Sequence, residues 1–237
     1  MNPVSLINQP VAMLYDGDYI QAPEERFFDP LWWEQEGAVT GRAAGRGSAV
    51  FIEAPFGPAV LRTYLRGGWP ARISRDRYLY TGLQRTRPFR EFRLLTSMVD
   101  AGLPVPGPLA ALCRRKGLTC TGALITRRLP DVTPLAELLG DAGLGDGEWS
   151  AIGRTIGRFH HAGVRHADLN ARNILMRPGT GEVFLVDFDR SAISPGRPVN
   201  GNPNLARLRR SLGKLWPAEP ERGIDPCWRA LLDGYHG

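Results

Sequence analysis

Two acidic motifs constrain this chain most tightly. One is His166-Ala167-Asp168-Leu169-Asn170-Ala171-Arg172-Asn173, and the other is Val186-Asp187-Phe188-Asp189. An apolar helical pattern ending at Gly163 precedes the first. Two short apolar runs flanking Gly179-Thr180-Gly181 separate the pair. This order calls for a helix, a polar loop and a small hairpin that bring the acids together. Asp168 and Asn173 lie five positions apart on an ordered loop. That spacing lets a carboxylate face a hydroxyl while an amide oxygen turns back toward a cation. Asp187 ends an apolar strand, so buried backbone holds its position.

The rest of the chain divides by pattern. A strand is expected from Val11 to Tyr15, followed by a turn at Asp16-Gly17-Asp18 and an aromatic segment holding Phe27, Phe28, Trp32 and Trp33. Further strands are expected at Val39–Gly41, Ser48–Glu53, Ala59–Tyr64, Leu109–Cys113 and Leu118–Thr126. Phe92, Leu95, Met98 and Val99 set a helix from Pro88 to Ala101, stopped by Gly102 and Pro104. The second half is helical: Pro134–Leu139, a longer helix capped by Asp146, one opened by Asn202-Pro203, and a last from Cys227 to Tyr235. The fold class is therefore α+β and bilobal, with a β-rich region over residues 1–126 carrying one main helix and an α-rich region over 127–237.

Composition narrows the class further. With 43% hydrophobic and 23% charged residues, 237 residues build an ordinary globular core. No run of about 18 apolar residues predicts a membrane span, and the N-terminus lacks a signal-peptide pattern. Cys113, Cys120 and Cys227 have no metal-site spacing. The net charge is +6, and of the 30 basic side chains only Lys116 and Lys214 are lysine. Any chemistry needing a cation in the first 115 residues must use arginine.

The paired motifs resemble the catalytic core of the protein-kinase-like phosphotransferases, with His-x-Asp-x-x-x-x-Asn followed by a strand-borne metal-binding Asp. The resemblance implies ATP and Mg²⁺ as cofactors. It makes Asp168 the base that takes the acceptor proton, with His166 more a brace of the loop than a reactant. Asn173 and Asp187 become the metal ligands. The glycine-punctuated stretch then places Gly45, Arg46, Gly47 and Ser48 over nucleotide phosphates. Arg62 stands on the strand where kinases carry lysine, and Glu91 is its expected helix partner. Asp189 replaces the glycine of the protein-kinase triplet, and no Ala-Pro-Glu motif follows. A protein substrate is therefore not expected.

Further segments are similar to those of the 3-deoxy-D-manno-octulosonic acid (Kdo) kinases: Leu61 to Gly68, Arg87 to Phe92, Gly102 to Pro106 and Asn204 to Leu212. That similarity implies phosphorylation of the 4-hydroxyl of Kdo on a lipid A precursor, at the cytoplasmic face of a Gram-negative inner membrane. Lipopolysaccharide heptose kinases share these motifs, so the acceptor stays open between them. Small-alcohol kinases and pseudokinases are the remaining alternatives. Between Arg66 and Arg93 lie eight arginines against Asp76 and Glu91, interleaved with Trp69, Tyr78 and Tyr80. Such a segment suits an anionic membrane surface. A nucleic-acid partner is not expected, because Asp168 and Asp187 would repel its phosphates.

Overall fold

A computed structural model of the chain describes residues 1–43, 48–64, 78–139, 144–218 and 223–237. They form two compact units. The first comprises Met1–Ser97 and Pro106–Arg128; the second comprises Met98–Val105 and Leu129–Gly237. The architecture is α+β.

The first unit is built on an eight-stranded antiparallel sheet. Its strands are β1 (Pro3–Asn8), β2 (Val11–Asp16), β3 (Val39–Arg42), β4 (Ser48–Ala54), β5 (Gly57–Thr63), β6 (Tyr78–Leu79), β7 (Pro108–Lys116) and β8 (Thr119–Arg127). The path runs β1-β2-β7-β8-β5-β4-β3, with β6 also on β8. Two of these strands were not expected from sequence: β1 exists by pairing with β2 from Pro3↔Asp16 to Asn8↔Val11, and the two-residue β6 by pairing with β8 at Tyr78↔Cys120 and Leu79↔Thr119. One face of the sheet is closed by Phe27, Phe28 and Trp33, packed with Val50, Ile52, Ala59 and Leu61. The Trp33 indole N–H donates to the Phe27 carbonyl at 2.8 Å, so the ring is buried with its polar atom satisfied. The short helix α1 (Pro30–Gln35) carries this ring, and the Asp29 carboxylate caps it by accepting from Leu31 N–H.

Helix α2 (Arg87–Asp100) buries Phe89, Phe92, Leu95 and Met98 at 0–2% exposure. The same stripe holds Glu91, which is a buried acid at 4% exposure. Period-two alternation on β5 turns Ala59 and Leu61 to the core and leaves Arg62 on the opposite face.

The second unit is helical. It holds β9 (Thr133–Pro134), α3 (Leu135–Leu138), α4 (Asp146–His161), β10 (Val164–Arg165), β11 (Ile174–Arg177), β12 (Glu182–Leu185), β13 (Ala192–Ile193), α5 (Asn202–Leu215) and α6 (Ile224–His236). Gly145, rather than Asp146, caps α4; its N–H donates to the Glu148 carboxylate at 2.8 Å. Trp149, Ile152, Ile156 and Phe159 form the buried stripe of α4. Helix α6 begins three residues before the expected start at Cys227 and packs on α4 through glycine. A Cβ on Gly153 would overlap the Leu231 carbonyl, and one on Gly234 would overlap Ser150. The two backbones therefore sit closer than side chains allow.

Gly153→Ala should lose about 1–3 kcal/mol despite alanine's better helix propensity, because the helices must separate. Gly213→Ala, on α5 with open space at its Cβ position, should instead gain up to about 1 kcal/mol. Urea unfolding of the two variants beside wild type measures both.

Candidate active site

The polar loop lies in the second unit, and hydrogen bonds set its geometry. His166 is 3% exposed and bonds at both ring nitrogens. Nδ1 accepts from the Asp168 N–H at 3.0 Å, so Nε2 carries the proton and donates to the Val186 carbonyl, also at 3.0 Å. One imidazole thus ties the loop to the residue before Asp187. Val186 N–H in turn donates to the Asn173 carbonyl at 3.0 Å. These bonds bring the backbones of Asp168, Asn173 and Asp187 to one place.

The carboxylate of Asp168 is 57% exposed and available to a substrate. Its backbone carbonyl accepts from Asn173 Nδ2 at 2.9 Å and Asn170 Nδ2 at 3.0 Å. Committing its NH₂ to the loop leaves Asn173 an amide oxygen to offer. Asp187 adopts φ 63°, in the left-handed region that non-glycine residues rarely take. Phe188 beside it is 1% exposed, stacked on Phe159 at 5.8 Å and tilted on His166 at 4.7 Å. The burial of Phe188 holds the turn that Asp187 occupies, and strain of this kind clusters at functional sites.

The donor set suits a hard cation. An amide oxygen and a carboxylate are oxygen ligands, and Mg²⁺ takes one or two of these with water and phosphate completing its shell. Among the described residues no three His, Cys, Asp or Glu side chains gather into a closed cage. Asn173 and Asp187 would hold the ion, which supplies charge neutralisation to a polyphosphate when bound.

Behind the loop runs a buried chain of polar groups. Asn204 on α5 donates from Nδ2 to the His166 carbonyl at 2.6 Å. Its oxygen faces His160 Nε2 at 3.1 Å, and His160 Nδ1 faces the Tyr235 hydroxyl at 2.9 Å. A carbonyl can only accept, so every donor is assigned: Tyr235 O–H to His160, His160 Nε2–H to Asn204, Asn204 to the loop. Burial lowers the pKa of both His160 and His166. Neither His160 nor Asn204 was singled out from sequence. They lie 44 positions apart, and only folding brings them together.

The first unit holds the other predicted pair. Arg62 Nη2 lies 2.5 Å from Glu91 Oε2, with their side chains 22% and 3% exposed. Tyr64 joins them, its hydroxyl donating to the same Glu91 oxygen at 2.6 Å. The guanidinium groups of Arg62 and Arg87 each lie 4.9 Å from the Tyr64 ring centre. Tyr64 was missed as a functional residue, although two-residue spacing on the strand puts it on the face of Arg62. Gly45, Arg46 and Gly47 lie outside the described residues, as does the side chain of Ser48. Most of the arginine-rich segment, including Arg66, Trp69, Arg72, Arg75 and Arg77, lies outside them too.

The fold and the motif loop define a protein-kinase-like phosphotransferase. A solved structure described as "WaaP in complex with acyl carrier protein" has the same fold, with TM-score 0.57 and 16% identity over 91% of this chain and 88% of that one. The model of the lipopolysaccharide kinase (Kdo/WaaP) family matches residues 31–235, and the chain belongs to that family. It is 45% identical over 224 residues to a protein of Xanthomonas axonopodis pv. citri (strain 306) named 3-deoxy-D-manno-octulosonic acid kinase, covering 94% of this chain and 89% of that one. A protein of the same name from Stenotrophomonas maltophilia (strain R551-3) is 47% identical over 204 residues, with 86% and 81% covered.

A histidine whose folded pKa is lowered resists protonation, so the unfolded chain takes protons first as pH falls. The stability held by neutral His160 and His166 is complete above about pH 6.5 and is lost as pH falls toward their folded values. The urea midpoint should therefore fall between pH 7.5 and 5.5. His160→Gln should flatten that dependence.

Proposed function

We propose that this chain transfers the γ-phosphate of ATP to the 4-hydroxyl of a Kdo residue on a lipid A precursor. The observation that carries the reading is the hydrogen-bonded convergence of Asp168, Asn173 and Asp187 in a chain whose relatives are named Kdo kinases. Asp168 orients the acceptor hydroxyl and takes its proton. The hydroxyl oxygen forms a bond to the γ-phosphorus as the bond to the bridging oxygen breaks, and ADP leaves. Asn173 and Asp187 hold Mg²⁺. His166, fully occupied by two structural bonds, positions Asp168 and does not transfer the proton. Arg62, aligned by Glu91 and Tyr64, supplies the fixed cation for the nucleotide phosphates.

Phosphotransfer from labelled ATP to Kdo–lipid A, with heptosylated core and an aminoglycoside in parallel, tests the reading. Wild type should label Kdo–lipid A alone. Asp168→Asn should lower kcat about 10²–10⁴-fold, the range expected for a lost general base. Arg62→Gln should raise the KM for ATP with the acceptor KM unchanged. Labelling of heptosylated core in preference to Kdo–lipid A overturns the acceptor assignment.

Reversible docking on an anionic bilayer belongs to the same proposal. Among the described residues no helix is long and apolar enough to cross a membrane. The β7–β8 hairpin tip instead carries Leu118 at 78% exposure, beside Leu79 on β6 at 68%. Tyr80 N–H donates to the Leu118 carbonyl at 2.9 Å and Leu79 is in register with Thr119, so both leucines belong to the hairpin tip. Lys116 stands on the same tip with Arg115, whose guanidinium lies 4.7 Å from the Tyr80 ring centre. Two leucines offer about 1.5–3 kcal/mol each on insertion, and each basic group about 1 kcal/mol near an anionic surface. Leu118→Asp should weaken sedimentation with phosphatidylglycerol vesicles at least about tenfold, and phosphatidylcholine vesicles should bind poorly throughout. Equal binding of wild type and variant removes the tip from the interface.

A further inference from the structure

We propose that Arg207 is an acceptor-binding residue, recognising the carboxylate of the same sugar that carries the phosphorylated hydroxyl. The inference deepens the function proposed above and rests on Asp168 as base. Helix α5 presents three side chains to the loop at helical spacing: Asn204, Arg207 and Ser211. Asn204 binds the His166 carbonyl, and Ser211 Oγ accepts from the Ala171 N–H at 3.2 Å. Both are braces on backbone. Arg207 differs, because its Nη1 lies 2.5 Å from Oδ1 of the Asp168 side chain itself.

The pair is open to solvent, with Arg207 48% and Asp168 57% exposed. An exposed ion pair adds little to stability, so holding the fold together does not account for this arginine. What its position does supply is a cation at the base. A sugar acid delivered to Asp168 brings its own carboxylate toward that carboxylate, toward Asp187 and toward the triphosphate. Like charges at that range oppose binding and raise carboxylate pKa values. A guanidinium between them removes the repulsion. It has five N–H donors in a planar fork, and Nη1 on Asp168 leaves the geometry for a second carboxylate. Bridging Asp168 to the sugar carboxylate on C2 would orient the ring, and with it the 4-hydroxyl two carbons away, toward Asp168. Of the other two arginines of α5, Arg209 is turned away and pairs with Asp225.

The test crosses two acceptors with three proteins. Wild type, Arg207→Gln and Arg207→Lys are assayed with ATP on Kdo–lipid A and on the same acceptor with the Kdo carboxyl reduced to an alcohol. Wild type should prefer the acid by about 10- to 100-fold in kcat/KM, the scale of a charge-assisted bond. In Arg207→Gln that preference should collapse toward one, through the acceptor KM, while the KM for ATP holds. Arg207→Lys should keep part of it, which also shows that the variant folds. If Arg207→Gln lowers both acceptors equally and shifts the pH profile of kcat, Arg207 acts only on Asp168 and the inference falls. A wild type indifferent to the carboxyl overturns it as well. A wild type that labels neither acceptor sinks the Kdo reading, and this inference with it.

Discussion

The His166 imidazole is the contact on which the second unit's chemistry depends. Its two nitrogens join the backbone N–H of Asp168 to the carbonyl of Val186. Those two residues belong to different segments, and no other side chain among the described residues spans them in this way. The arrangement works only with a neutral ring, since a protonated Nδ1 would face the Asp168 N–H donor to donor. Burial supplies that neutrality by lowering the pKa of the ring. The bracing of the loop and the exclusion of water from His166 are thus one requirement. The Tyr235–His160–Asn204 chain extends it, since each donor there is fixed by the acceptor in front. A half-satisfied buried chain would cost more than an apolar core, which is why its members reach one another from three helices.

In the first unit the corresponding constraint is charge. A chain without lysine before residue 116 puts Arg62 on the strand, and arginine is longer and planar. Left with Glu91 alone, so long a cation could swing. Tyr64 restrains it twice, by sharing the Glu91 oxygen and by lying under the guanidinium. Removing Arg62 would take a cation from a carboxylate of 3% exposure, which costs stability. The pair is therefore structural as well as a candidate phosphate contact, and only a kinetic split between ATP and acceptor separates the roles.

How much was legible follows from what each contact depends on. The strands around Arg62 and helix α2 announce themselves by period, and the resemblance to kinases is what matched the cation on β5 with the acid on α2. The loop motif was legible for the same reason: its chemistry is local, within Asp168 to Asn173 and Asp187. Strand β1 was not, because its pairing with β2 rather than its own pattern makes it a strand. Asp146 reads as a cap by residue type, yet Gly145 takes the position because Glu148 reaches back to its N–H. His160, Asn204 and Tyr235 looked like ordinary helix residues, and their meaning lies wholly in tertiary contact. Arg207 was visible as one of several arginines on α5, and nothing local distinguished it from Arg209 or Arg210.

The opposite fates of those arginines show how helical phase turns a bulk excess of charge into chemistry. Asn204 is anchored on the loop, which sets the rotation of α5 about its axis. Three residues later the same face returns, placing residue 207 over Asp168, and after seven it returns again at Ser211. Arg209, two positions from Arg207, is carried around the helix to Asp225. The buried amide of Asn204 thus does two things at once. It holds the His166 carbonyl, and it fixes which arginine of a basic helix stands at the proposed base. Changing Asn204 should therefore disturb Arg207 as well as the loop, so the two residues should be non-additive in any double substitution.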